Sequence, residues 1–514
     1  MVVNSLGREI PEVIRGKKVK PFQGVTRKYA QCKVIDFSKD TNCSKVLESL
    51  EEALKKVGLQ NGMTVSFHHH LRNGDYVVNL VMKTIAAMGF KDINVAASAI
   101  FPVHAPLVDY IKEGVITGLE VNYMSGPVAQ AVSDGILKKL AIFRSHGGRP
   151  RAIESGDLSI DIAFIAASAA DRYGNATGIL GPSRFGALGY AIPDALQARK
   201  VIIITDYLVD YPLAPISISQ NYVDYVVKID IIGDPKGIEF GSTKITQDPI
   251  RLKIAQQAAQ VIQASGLLRD DLSFQTGAGS TSLAVAHYLY QLMKEDKIQG
   301  SFGGGGITQF FVKMLEEGFF KVLLDTQTFD LVGVESLARN PNHLEVDASF
   351  YANPHNKGCW VDQLDVIILG ATEIDEDFNV NVITGSDGLI RGGSGGHSDT
   401  AAGAKLAIVV SPLAIVKKGI PIIRKEVTTI TTPGKTIDVL VTEEGIAVNP
   451  RRKDIISFLE RTKLPLKSIQ DLRKEAEAQV GGSPKRVKVG KKIVGVVEYR
   501  DGTVIDVIRQ REET

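Results

Sequence analysis

Short apolar runs alternate along the chain with segments whose apolar residues recur every three to four positions. TVSF (64–67), INVAAS (93–98), GLEVNY (118–123), IDIAFIAAS (160–168) and KVIIITD (200–206) are rich in β-branched residues and bounded by turn formers, as buried strands are. KVLESLEEALKKV (45–57) and YVVNLVMKTIAAMG (76–89) carry apolar residues at helical spacing. Strands apolar on both faces and separated by helices predict a parallel sheet covered on each side. The expected fold class is α/β.

The order of elements repeats. In the first half a helix ending at Gly58 leads to TVSFHHHLRNGD, a second helix and the strand INVAAS. In the second half IRLKIAQQAAQVIQASG (250–266) leads to LSFQTGAGSTS, the helical AVAHYLYQLMKED and then IQGSFGGGG. Helix, strand, polar or glycine-rich loop, helix, strand is the same order twice, the mark of an internal duplication. Glycine, proline and polar residues gather in GDPKGIEFGSTKITQDP (233–249), which suits a boundary. The expected organisation is an N-terminal extension over 1–40, similar open α/β domains over 41–240 and 241–450, and a C-terminal piece over 451–514. That last piece reads as a charged helix and the hairpin KKIVGVVEYRDGTVIDVIRQ, turning at Asp501-Gly502. Ligands of open α/β sheets collect beyond the carboxyl ends of the strands, where free N–H groups favour anions. Two such halves face to face predict a cleft for an anionic substrate.

Composition narrows the function. A formal charge of +2 on 514 residues provides neither a basic field for nucleic acid nor an acidic tail. No run of eighteen apolar residues is present, so no membrane helix is expected. Cys32, Cys43 and Cys359 are scattered without CxxC spacing, and MVVNSLGREIPEVIRGKK lacks an apolar signal core. Both features fit a reducing cytoplasm.

Four stretches carry candidate chemistry. SFHHHLRNGD offers His68, His69, His70, Arg72, Asn73 and Asp75 at a strand end. Alternation along an extended chain would let His68 and His70 share a face that excludes His69. Metal binding, a structural role and carboxylate binding with Arg72 as a bidentate partner are all open to these residues. SHGGRPR places His146, Arg149 and Arg151 on a glycine-bent loop, suited to an anion or to a solvated turn. TGAGSTS (276–282) allows close backbone approach through Gly277 and Gly279, but lacks the lysine of a phosphate loop. GSDGLIRGGSGGHSDTAAGAK brings Gly392, Gly393, Ser394, Gly395, Gly396 and His397 together. Ser394, His397 and Asp399 are hydrolase residue types without a GxSxG elbow, so backbone N–H donors are the better use of this loop. Finally, SFGGGGIT sets Gly303, Gly304, Gly305 and Gly306 in a row, although each glycine in a regular element costs about 0.5–1 kcal/mol relative to alanine.

Several of these stretches resemble the coenzyme A transferase superfamily: the loop after GMTVSF, SGDLSIDIAFIAASAADRYGNATG (155–178), TGAGS, and GGSGGHSDTAAGAK followed by TTPGKTIDVLVTEEGIAVNP (431–450). A closer likeness, to the citrate lyase alpha subunit family, rests on SFHHHLRNGDYVVNLVM, FPVHAPLVDYI, SHGGR, SFGGGGIT, SLARNPNHLEV and FNVNVITGSDGLIRGGSGGHSDTA. Citramalate lyase alpha subunits are the neighbouring alternative.

The resemblance implies two similar α/β domains with the active site between them. It implies exchange of acyl groups, acetyl thioester plus citrate giving citryl thioester plus acetate. The thioester belongs to acetyl-CoA or to the phosphoribosyl-dephospho-CoA group of an acyl-carrier (gamma) subunit, and a beta subunit cleaves the citryl product. It implies a homo-oligomer within that complex, neither nucleic acid nor membrane as partner, and no metal ligands in this chain, with Mg²⁺ accompanying citrate. Most of the superfamily uses a strand-end glutamate as nucleophile. The matching place here falls within Gly303–Gly306, near Gly305, and no Glu or Asp stands between Gly300 and Phe311. By the same resemblance Gly303–Gly306, Gly393, Gly395 and Gly396 serve acyl transfer, and Gly277, Gly279, Gly392, Ser394 and His397 hold the CoA-like group. His68, His70, Arg72, Asn73, His146 and Arg149 are then the candidates for citrate. Two rivals follow: a covalent enzyme using Glu335 or Glu373, and a non-catalytic sensor on the same fold.

Overall fold

The structure is a computed structural model and describes residues 1–25, 44–239, 244–277, 279–482 and 489–512. Cys32 and Cys43 lie outside the described residues, and Cys359 is buried. Two large sheets organise the chain. The first has ten strands in the spatial order Val504–Arg511, Val489–Glu498, Ala141–Phe143, Ile116–Val121, Ile93–Ala97, Thr64–Phe67, Ile162–Ala167, Lys200–Thr205, Tyr225–Lys228, Val46–Leu47. The second has eight, in the order His343–Glu345, Phe320–Thr328, Gly300–Ile307, Phe274–Thr276, Val366–Leu369, Leu406–Val410, Val439–Val441, Ile446–Val448. Pairing is parallel throughout except at Val504–Arg511 and Ile446–Val448, each an antiparallel edge. Central strands such as Ile93–Ala97 and Leu406–Val410 are buried at every residue, as a sheet covered on both faces requires.

The predicted strands and helices stand where the apolar pattern placed them, with two differences. Residues 45–57 are helical only over Leu50–Lys56, capped by Ser49 accepting from Glu52 N. Val46–Leu47 instead pairs with Tyr225–Lys228 as an edge strand. The C-terminal residues divide between the two sheets. Helix Ile469–Gln479 packs Ile469, Leu472 and Ala476 into the core beside the second sheet, while Val489–Glu498 pairs in parallel with Ala141–Phe143 of the first. A row of open backbone donors and acceptors at Ala141–Phe143 recruits the hairpin, because an unpaired edge is costly. Residues 1–25 meet the same hairpin through Phe22 N→Val504 O (3.0 Å) and Val504 N→Lys20 O (2.8 Å).

A buried ion cluster fastens this edge. Glu120 accepts from Arg15 and Arg144, and Arg144 Nε also donates to Glu498 Oε2 at 2.7 Å. Burial pushes the Glu120 carboxyl up, but Arg144 and Arg15 outweigh it and hold it at about 2. A depressed folded value means that the stabilisation is present above the unfolded value of about 4.5 and is lost as pH falls toward 2. Glu120→Gln leaves a buried guanidinium short of a partner, so we expect about 3–5 kcal/mol of destabilisation at pH 7. Urea unfolding at pH 7, 4.5 and 3 checks this, since the gap between wild type and variant should shrink as the pH falls.

Candidate active site

The carboxyl ends of the two sets of strands face each other, and the halves are stitched there by backbone contacts. His146 N donates to Gly395 O (2.7 Å), Met124 N to Gly392 O (3.1 Å), and Ala348 N to Gly189 O (2.9 Å). Gln327 Nε2 reaches across to His69 O at 2.9 Å. The loop carrying His146 is held from the other half by Asp399, which accepts from Ser145 Oγ (2.8 Å) and Gly147 N (2.9 Å). Burial raises the Asp399 carboxyl to about 6, against the nearby Arg500.

The strand Thr64–Phe67 ends before the histidines, so alternation no longer governs them, and all three gather in one aromatic cluster. His69 stacks on Tyr190 (4.8 Å) and His146 (5.6 Å), and His70 on Phe185 (5.4 Å); His146 lies 4.5 Å from Tyr190. Desolvation first, then neighbouring positive charge, depresses the imidazoles of His69, His70 and His146, the last to about 3. They are neutral imidazoles at physiological pH, suited to hydrogen bonding rather than to ion pairing. His146 Nδ1 is buried with no hydrogen-bond partner among the described residues.

Arg72 supplies the charge. Its guanidinium lies 4.7 Å over the Phe329 ring and 5.7 Å from Phe101, and Nη1 donates to Ile238 O at 3.0 Å. Among the described residues it has no carboxylate partner, and burial lowers its pKa to about 10. Its backbone sits at φ 52°, an uncommon conformation for a residue other than glycine. A desolvated cation held by a strained backbone is a ready receptor for an anion.

Other expected carboxylate binders lie around Asp194 and the adjoining turns. Arg149 Nη2 is 2.5 Å from Asp194 Oδ2 and 3.1 Å from Ala96 O, and His68 Nε2 lies 3.0 Å from the same Asp194 oxygen, off the line of a good hydrogen bond. Burial pushes Asp194 up, but Arg149 and His68 outweigh it. The Asp194 carboxylate therefore meets the Arg149 guanidinium, while Arg149 Nε and both His68 ring nitrogens are buried without a hydrogen-bond partner among the described residues. Asn73 Oδ1 accepts from Val103 N at 3.1 Å and shapes the adjoining turn. His397 is likewise committed, to Thr432 Oγ1 (2.7 Å) and Gly370 O (2.9 Å), and Ser394 Oγ pairs with Ser398 Oγ at 2.9 Å.

The glycine run is part of the strand Gly300–Ile307, with a bulge between Gly305 and Gly306. A Cβ on Gly303 would stand 2.7 Å from Phe311, one on Gly304 2.7 Å from Trp360, and one on Gly306 would overlap Phe329. Those three glycines make room for aromatic packing. Gly305 differs: its φ is 97°, and a Cβ there would run into the amide end of Gln275. Across the cleft, Gly396 abuts the Tyr351 hydroxyl, Gly395 (φ 51°) faces His146, and Gly393 is pressed against Asn122. Gly392 N donates to Ile383 O at 3.1 Å and Gly395 N to Asn122 O at 3.2 Å, so neither N–H is a free oxyanion donor. Gly277 and Gly279 have room around them, with nothing nearer than 3.7 Å to an added Cβ.

The two alternative glutamates do not reach the site. Glu335 is on the surface between Arg184 and Arg339. Glu373 is fully buried and saturated by Arg424, Asn381, Ser386 and Thr428. Asp325, in register with Gly305, is fully buried, with Thr328 Oγ1 at 2.6 Å and His343 Nε2 at 3.1 Å on one oxygen. A cavity of about 570 Å³ lies elsewhere, at the amino ends of the first sheet's strands beside Arg15, Thr64, Asn94 and Lys138.

Paired, mainly parallel sheets whose strand ends enclose glycine-lined backbone define a CoA-transferase-like fold. Residues 43–511 match the family described as citrate lyase, alpha subunit, and the chain belongs to that family. It is 49% identical over 466 residues to the citrate lyase alpha chain of Haemophilus influenzae, covering 91% of this chain and 93% of that one. Identity to the Klebsiella pneumoniae citrate lyase alpha chain is 46% over 490 residues, 95% of each. A crystal structure of a citrate lyase alpha subunit from Streptococcus mutans in complex with citrate superposes with a TM-score of 0.95 at 46% identity, covering 99% of this chain and 100% of that one. The malonate decarboxylase alpha subunit of Acinetobacter baumannii shares the fold alone, with a TM-score of 0.61 and 17% identity over 86% of this chain and 91% of that one.

Proposed function

We propose that this chain exchanges acyl groups on a thioester, converting acetyl thioester plus citrate into citryl thioester plus acetate, by direct attack of citrate. Arg72 carries the reading: a partly buried guanidinium beside neutral imidazoles, with no carboxylate partner among the described residues. A tricarboxylate supplies both the missing counter-charge and the missing nucleophile. One citrate carboxylate oxygen adds to the acetyl carbonyl, the C–S bond breaks, and the thiolate leaves with the electron pair, giving a mixed anhydride. The thiolate then adds to the citryl carbonyl of the anhydride and acetate departs. No proton changes hands overall. Holding two reactants in contact lowers the barrier by about 7–11 kcal/mol, so the site needs clamps and oxyanion donors more than an acid–base pair.

The thioester is a co-substrate, borne by acetyl-CoA or by the phosphoribosyl-dephospho-CoA arm of an acyl-carrier subunit. The open space at Gly277 and Gly279, before the helix Ser280–Glu295, suits its approach. Mg²⁺ travels with citrate. In this reading the chain works in the cytoplasm as a homo-oligomer, with acyl-carrier and lyase subunits as partners. Among the described residues no helix is long and apolar enough to cross a membrane. The relative solved with citrate supports citrate over citramalate.

Purified chain mixed with acetyl-CoA and citrate should yield a new acyl-CoA and free acetate in equal amounts, with citramalate the poorer acceptor. No acetate with either acid would refute the assignment.

A further inference from the structure

Two hydrogen bonds hold the SHGGR loop from the opposite half, one on each side of His146. Both end on Asp399, a fully buried residue in the first turn of the helix His397–Gly403. Its Oδ1 accepts from Ser145 Oγ at 2.8 Å and its Oδ2 from Gly147 N at 2.9 Å. Ser145 Oγ in turn accepts from Gly148 N at 2.9 Å, so one carboxylate fixes the backbone from 145 to 148. A Cβ on Gly147 would stand 2.0 Å from Ala352 O, the carbonyl that also accepts from Arg500 Nη2 at 3.1 Å. Arg500 Nε lies 3.6 Å from Asp399 Oδ1, so a cation from the C-terminal hairpin orients the carboxylate.

What this frame presents is the His146 ring. The ring lies 4.5 Å from Tyr190 and 5.6 Å from His69, and its Nε2 faces Gly395. Burial first, then the nearby Arg149, holds its pKa at about 3. The imidazole is therefore neutral, with one nitrogen to donate and one to accept. No other side chain of the loop competes for this place. Ser145 belongs to the frame, Gly147 and Gly148 have no side chain, and Arg149 Nη2 turns to Asp194.

We propose that Asp399, oriented by Arg500, is a positioning residue that sets the His146 imidazole against Tyr190 and His69 for acyl exchange. The proposal rests on the acyl-exchange reading. Hydrogen bonds rather than charge set the position. Asparagine at 399 keeps both bonds: its amide oxygen accepts from Gly147 N, and its amide N–H donates to the remaining lone pair of Ser145 Oγ. Alanine loses both and leaves the loop free to shift, and a misplacement of about 1 Å can cost about 10²-fold in rate.

The test is a double-mutant cycle in acyl exchange from acetyl-CoA to citrate, with thermal unfolding of each variant. We expect kcat/KM to fall about 10²-fold in Asp399→Ala and in His146→Ala alike, with Asp399→Asn within about tenfold of wild type. The double variant should lie no more than about threefold below the slower single one, because Asp399 then has nothing to position. If Asp399→Ala does not fold, Ser145→Ala, which removes one of the two bonds, takes its place in the cycle. Losses that multiply in the double variant, either single variant within threefold of wild type, or Asp399→Asn as slow as Asp399→Ala overturn the proposal. Wild type without exchange on citrate or citramalate overturns the acyl-exchange reading instead.

Discussion

Gly305→Ala should abolish most citrate-dependent acetate release, by a hundredfold or more in kcat. Gly305 sits at φ 97° on the strand bulge, a region that an L side chain enters only with strain, and the added methyl would displace Gln275 from its bond to Tyr351. Gly305→Glu, with a longer chain in the same space, should be inactive on citrate altogether. The neighbouring glycines give the contrast: a methyl on Gly303 meets Phe311 and one on Gly304 meets Trp360, so those changes should lower the thermal midpoint. Overpacking of this kind costs about 1–3 kcal/mol. Initial rates and melting curves on the three alanine variants separate the two effects. Turnover by Gly305→Ala within threefold of wild type would remove this strand from the site.

Arg72→Ala should raise the citrate KM about ten- to a hundredfold, since a charge-assisted hydrogen bond contributes about 1.5–3 kcal/mol. The same change should cost little stability and can raise it, because it removes a desolvated cation with no carboxylate partner among the described residues and relieves a strained backbone. Added citrate should lift the melting temperature of wild type and leave that of Arg72→Ala unmoved. Arg72→Lys should not restore affinity, since an ammonium reproduces neither the planar fork nor the stacking on Phe329. A citrate-induced shift that survives in Arg72→Ala would place citrate elsewhere.

Periodicity carried the fold because both sheets are parallel and buried on each face, so their strands read as continuous apolar runs such as KVIIITD, while the helices covering them are amphipathic. Where edges decide, pattern failed. Val46–Leu47 reads as the start of a helix, and only its pairing with Tyr225–Lys228 makes it a strand. The terminal hairpin was legible as a hairpin, but its docking on Ala141–Phe143 is a long-range fact.

The surroundings of the candidate residues were legible in part for the same reason. Arg72, His70 and His146 sit in short polar loops at strand ends, where chemistry is expected. Arg149 and His68 have the same local signature, yet both lie beside the carboxylate of Asp194, a distant helix residue. Nothing local distinguishes a cation with a buried partner from one without. Gln275 did leave a signal, as a polar residue inside the apolar strand LSFQT just before a glycine loop. Tyr351 left none in ASFYANPHN. The four glycines of SFGGGGIT look alike in sequence, and only backbone angle and neighbours separate Gly305 from the three that accommodate aromatic rings.

Direct attack by citrate, without an enzyme-bound acyl or CoA intermediate, is decided by the intact mass of the chain after incubation with acetyl-CoA alone. The chain's mass should be unchanged, and acetate should appear only when citrate is added. A chain heavier by one CoA, lost on treatment with hydroxylamine, together with acetate released before citrate is present, would contradict it.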